Sequence, residues 1–153
     1  MILTDLDGTW VGANGFRLMP TEPYVERPAE VTVARAAGGH LTTVAYFWQH
    51  PQDGQQDGLV VAGSAGEAGS LVAFWADSWH QHPVPMSLTG SHAPGGAVEL
   101  EATYGGGWGW RIVFEGGSGG LRMRMDNVVP AEHATAEVPA GPYPAMVMDL
   151  RRA

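Results

Sequence analysis

The chain has no cysteine among its 153 residues. That excludes disulfides, thiolate metal sites and cysteine nucleophiles. Lysine is absent as well: the eight basic residues are all arginines, against sixteen acidic ones, for a formal net charge of −8. No basic patch forms along the sequence, so neither a nucleic acid nor an anionic membrane surface is an expected partner. Long apolar runs are missing, and nothing approaches the length of a membrane span. The opening MILTDLDGTW has neither a basic leader region nor an extended apolar stretch, so the expected location is cytoplasmic. There is no Gly-x-Ser-x-Gly elbow, P-loop or dinucleotide fingerprint. The glycine clusters at 105–107 and 116–120 fall between strand-like runs and open no helix, which leaves phosphate binding without support.

What is present is a chain of turns. Glycine supplies 22 residues and proline 11, while 44% of the sequence is hydrophobic and 16% charged. That length suits one domain over 1–153 with a real core, and so many breakers favour short strands over long helices. Strand-like runs recur at 8–19, 29–37, 40–49, 58–65, 70–81, 85–91, 96–104, 108–114, 121–128 and 143–152. A looser segment at 130–141 is cut short as a helix by Pro139 and Gly141. About ten strands with short links imply antiparallel neighbours, and a meander of this kind can close into an all-β, up-and-down barrel without sheet edges.

Alternation assigns the faces. Trp108, Trp110, Ile112 and Phe114 share one face, opposite Arg111. Leu121, Met123 and Met125 oppose Arg122 and Arg124, and Met146, Met148 and Leu150 form another apolar row. Arginine points to water, so the Trp and Met rows point inward. In 40–48 the faces are His40, Thr42, Val44, Tyr46 and Trp48 against Leu41, Thr43, Ala45 and Phe47, neither of them clearly polar.

Gly8-x-Trp10 on the first strand resembles the N-terminal signature of the calycins, the lipocalin-like β-barrels. The resemblance implies that Trp10 closes the barrel floor against an arginine at the end of the last strand, here Arg151 or Arg152. The pattern Gly8-Thr9-Trp10-x-Gly12 is also similar to nitrobindins, which are haem barrels. The middle of the chain, with GGHL at 38–41, FWADS at 74–78 and PMSLTG at 85–90, looks closer to an uncharacterised lipocalin-like bacterial family. That family implies no activity. The nitrobindin resemblance implies a histidine ligand near the C-terminus, whereas no histidine follows His133. Met146 and Met148 could ligate iron in principle, but inward methionines usually fill cores, and no cofactor is expected.

The densest chemistry is FWADSWHQHP at 74–83. Read as a continuous strand, it sets Trp75, Asp77, Trp79 and Gln81 on the barrel face and His80 and His82 on the outer face. His80 and His82 could share a metal only with a third ligand from His50, His92 or Asp126, so no metal is expected. Asp77 between two tryptophans is a partly buried carboxylate, either structural or an acid–base group working with Tyr46. Six tryptophans from at least four strands form an aromatic wall of the kind small-molecule pockets use. The expected ligand-binding set is Trp48, Trp75, Asp77, Trp79, Trp108, Trp110, Met123, Met125, Met146 and Met148. The leading expectation is binding of a small, largely apolar ligand inside the barrel. A cofactor-free cyclase, isomerase or hydrolase stands second and nitrobindin-like haem binding third. The reading allows a homodimer.

Overall fold

The computed structural model of the protein describes residues 2–117 and 119–153. Ten strands follow one another: β1 (Gly8–Phe16), β2 (Val25–Ala36), β3 (Leu41–His50), β4 (Gly54–Ser64), β5 (Ser70–Asp77), β6 (Gln81–His92), β7 (Val98–Tyr104), β8 (Trp108–Gly117), β9 (Gly120–Val129) and β10 (Gly141–Arg152). Each pairs antiparallel with its neighbour in sequence, and β10 returns to β1 to close the barrel. Closure gives every strand a neighbour on both sides, although β6 and β7 pair only along Thr89–His92 and Val98–Glu101. The fold is consistent with a calycin-like barrel. Among the described residues no helix is long and apolar enough to cross a membrane.

The closing seam explains the second glycine of the Gly-x-Trp-x-Gly motif. Gly12 stands opposite Leu150, and a Cβ there would lie 2.1 Å from the carbonyl oxygen of Asp149. Only a residue without a side chain lets β1 and β10 approach so closely. The 130–141 segment carries a single 3-10 turn, Ala131–His133.

The interior is filled in rows. Val31 and Val33 of β2, Val44 and Trp48 of β3, Leu100 of β7 and Ile112 of β8 are 2% exposed or less. Met123 and Met125 of β9 face Met148 and Met146 of β10, all four at 1%. The outer face of β3, β4 and β5 is also apolar: Phe47, Leu59, Val72 and Phe74 remain exposed there. This is why the alternation within 40–48 showed no clearly polar side.

The two ends are closed differently. At the floor, residues 2–7 fold across the opening and bury Ile2, Leu3 and Leu6. The Trp10 indole N–H donates to the Leu6 carbonyl at 2.8 Å. The Arg152 guanidinium lies 4.5 Å above the Trp10 ring and donates to the carbonyls of Asp7 and Asp5. Arg151 is exposed. Arg35 reaches the floor from β2, donating to the carbonyls of Ile2 and Leu3 and pairing with Asp7 at 2.9 Å. Both planar cations tie the lid's backbone and one also stacks on Trp10, which a lysine could not reproduce.

Arg35→Ala should therefore lower unfolding stability by about 2–4 kcal/mol, because it strips partners from buried carbonyls. Arg152→Ala should cost about 1–2 kcal/mol, and Arg151→Ala no more than about 0.5 kcal/mol. Urea unfolding of the three variants checks the order; equal effects at 151 and 152 would remove Arg152 from the closure.

Candidate functional site

Opposite the floor, the barrel ends in an aromatic cluster organised by one carboxylate. Asp77 is the last residue of β5 and is 2% exposed. Its Oδ2 accepts from the Tyr46 hydroxyl at 2.6 Å and from the Trp48 indole N–H at 3.2 Å. Its Oδ1 accepts from the backbone N–H groups of Trp79 and His80 at 2.8 and 3.0 Å. An aspartate that binds the N–H two and three residues ahead makes a turn. That turn ends β5 four residues earlier than continuous alternation predicts.

The expectation that His80 and His82 share an outer face is thereby corrected. The turn at 78–80 breaks the two-residue period, so His80 swings inward while His82 stays exposed on β6. The His80 ring lies 5.4 Å from both Trp48 and Trp110 and 4.7 Å from Trp79. Its Nδ1 stands 3.4 Å from Asp77 Oδ1, a contact too long and oblique for a good hydrogen bond. Among the described residues no three histidine, aspartate or glutamate side chains converge as metal ligands.

Tyr46 is committed as fully as Asp77. Its hydroxyl donates to Asp77 and accepts from the Trp75 indole at 2.8 Å. Burial first, then the neighbouring Asp77 charge, raises its pKa well above the ordinary tyrosine value. For Asp77, burial pushes upward, but the His80 side chain, the Tyr46 hydroxyl and the His80 N–H outweigh it, and the net shift is downward. A carboxylate held ionised by four donors, beside a phenol held neutral, is an anchor and a poor proton carrier at neutral pH. Space for the phenol comes from Gly58 of β4, where a Cβ would sit 2.1 Å from Tyr46 Cζ.

Above this network, Phe16, His50 and Trp79 cover the end. The Trp79 ring stacks on His50 at 4.6 Å, and its N–H donates to exposed Asp53 at 2.8 Å. His50 Nδ1 accepts from the backbone N–H groups of Gln52 and Asp53, which fixes the β3–β4 turn. Trp75 stacks on Trp110 at 5.2 Å and 9°. Trp108, expected in the same wall, is not brought into it. It opens β8 at the rim, where its half-buried ring stacks on His133 at 5.9 Å. Met123, Met125, Met146 and Met148 lie in the filled core, a poor setting for an iron ligand.

Besides His80 Nδ1, two further groups break the pattern of satisfied polar atoms. The Trp110 indole N–H is buried with no partner, and both polar atoms of the Asn14 side chain, 0% exposed, have none. Asn14, His50, His80, Asp53 and Gly58 were missing from the expected set. For Asn14 and His50 the signal was in the sequence. Asn14 follows Trp10 and Gly12 on the inward face of β1, and His50 follows Tyr46 and Trp48 on β3.

A cavity of about 720 Å³ opens at the other end, lined by Leu3, Leu6, Trp10, His92, Arg152 and turn glycines. It is framed by turn backbone on either side of Ser118, which lies outside the described residues. Its tryptophan and arginine are already engaged with each other. The aromatic end, with its buried polar groups, is the better candidate site. No protein-family model matches the chain, and neither does any curated protein.

Asp77→Asn should destabilise the protein by about 3 kcal/mol at neutral pH, since an amide cannot accept from four donors. Because the folded-state pKa is depressed, this stabilisation is present above the unfolded carboxylate value and is lost as pH falls through the folded one. The gap between wild type and variant should thus narrow below about pH 4. Gly58→Ala should cost about 2–3 kcal/mol by displacing Tyr46. Chemical denaturation across pH tests both, and a pH-independent gap would deny Asp77 its role as an ionised anchor.

Proposed function

We propose that the protein binds a small, largely apolar, flat molecule in the aromatic end of a calycin-like barrel. The observation that carries this reading is the Trp110 indole. Trp10, Trp48, Trp75 and Trp79 each donate their indole N–H to a named acceptor. Trp110, 7% exposed and stacked face to face on Trp75, donates to nothing. A buried donor without an acceptor is a standing cost of about 1–3 kcal/mol, relieved when a ligand supplies the acceptor. The surrounding rings supply the stacking surface that such a ligand needs. Entry runs past Trp79, which sits on a three-residue turn and is held by the exposed carboxylate of Asp53.

In this reading Trp48, Trp75, Trp79 and Trp110 form the wall, Asp77 and Tyr46 hold it in place, and the four methionines set its depth. The acid–base alternative has one supporting observation, the His80 ring turned by its Nδ1 toward buried Asp77. It would place proton transfer on His80, with Asp77 orienting it. His80→Gln would then abolish turnover of a bound compound while leaving its affinity in place.

The test is a titration with 2-naphthol followed by tryptophan fluorescence, together with native mass spectrometry of the protein as purified. Saturable quenching is expected, weakened about fivefold by Trp110→Phe, which keeps the stack and removes the N–H. Trp79→Ala should speed association. Absence of saturable quenching, with only the bare chain mass, would sink the binding reading.

A further inference from the structure

Resting on that reading, we infer that Asn14 selects the ligand, and that the ligand presents a hydrogen-bond donor and an acceptor side by side, as a primary amide, lactam or protonated carboxylic acid does. Asn14 lies on the inward face of β1, between Gly12 and Phe16. It is 0% exposed, and neither its Nδ2 nor its Oδ1 has a partner. A carboxamide offers two donors and a two-lone-pair acceptor in one plane. Burying all of them unpaired is among the least favourable placements a neutral side chain can take. A leucine would fill similar space without that penalty, so the amide is explained by something that meets it. Residues on the same strand connect Asn14 to the aromatic end. Phe16, two residues on along the same face, lies 6.1 Å from His80, and His80 lies 5.4 Å from Trp110. Two inward-facing rings, Phe16 and His80, thus link the neighbourhood of Asn14 to Trp110. The Trp110 N–H asks for an acceptor, and the Asn14 amide asks for an acceptor and a donor together. The stack of Trp75 on Trp110 favours an aromatic ring on the same ligand.

The experiment compares three probes of one shape: benzamide, methyl benzoate and toluene. Binding to the whole protein is followed by tryptophan fluorescence and by the side-chain amide resonances of Asn14 in ¹⁵N-edited NMR spectra. Benzamide is expected to bind about tenfold more tightly than methyl benzoate, which lacks the donor, and to move the Asn14 resonances. In Asn14→Leu the preference should vanish while toluene binding is kept. The ligand-free variant should melt about 3 °C or more above wild type, because an unpaired amide has been removed. A structural asparagine gives the opposite result, a lower melting temperature with the probe preference intact, and overturns the inference. Should Asn14→Leu fail to fold, the wild-type resonances decide: movement with benzamide and none with toluene supports the inference, and equal movement refutes it. Equal affinity for all three probes would refute the role of Asn14 and leave the binding reading standing. Binding of none would remove both.

Discussion

The upper half of the barrel depends on one buried negative charge. Taking a carboxylate out of water is tolerated only when its oxygens are fully paired, and Asp77 collects its partners from two directions. Tyr46 and Trp48, both on β3, bind Oδ2, while the backbone of the following turn binds Oδ1. The same interaction thus locks β5 to the interior of a strand two places away and ends β5 itself. Without it, nothing obliges the chain to turn at 78–80. Trp79 and His80 would then continue the strand instead of folding over the barrel mouth.

The floor shows the alternative way to close a barrel. There the polar work falls on two arginines whose guanidinium groups bond backbone carbonyls of residues 2–7. Arginine suits that task because its fork of donors matches carbonyls at several angles and its flat face packs on indole. It stays charged and partly solvated, so burial does not have to be offset in full. The result is a cover stitched to the barrel by main-chain contacts. The opposite end is covered in large part by side chains, the Trp79 ring resting on His50 and held by an exposed aspartate. Side-chain covers move by rotamer change on fast timescales, whereas main-chain covers need local unfolding. If either end admits a molecule, this asymmetry picks the aromatic one.

The barrel was legible because its evidence is periodic. Ten short runs split by glycine and proline turns, several of them with an apolar row of period two, leave few other ways to bury so much surface, and the closed meander follows. The site was legible only where that period runs unbroken. Trp48, Trp75 and Trp110 are where alternation puts them. His80 is not, because Asp77 forms a local side-chain turn that overrides the period. Nothing in the string of letters distinguishes an aspartate within a strand from one that ends it. Trp108 obeys the alternation yet lies at the rim, since face is encoded in sequence and depth along the barrel axis is not. Arg35 sits on the row of Val31 and Val33, so its inward position was also readable. Its guanidinium is tolerated there because the carbonyls of Ile2 and Leu3 and the carboxylate of Asp7 meet it.

The choice of tryptophan for the interior carries a constraint that leucine or valine would not. Each indole brings a donor that must be met, and the chain meets most of them with groups placed nearby: Leu6 for Trp10, Asp77 for Trp48, Tyr46 for Trp75 and Asp53 for Trp79. Tyr46 and Asp77 each serve more than one partner, so this pairing is cooperative and sensitive to the loss of any member. A sequence that satisfies four indoles with such economy had the means to satisfy a fifth, since a phenylalanine at 110 would stack on Trp75 equally well. The same holds at 14, where an apolar residue would fill the space. Local and global preferences agree nearly everywhere else in this barrel, and residues that depart from such agreement mark places where something other than stability set the choice. That Asn14 and Trp110 both depart from it, with buried polar atoms unpaired inside the barrel, is the strongest physical reason to look for a bound molecule there.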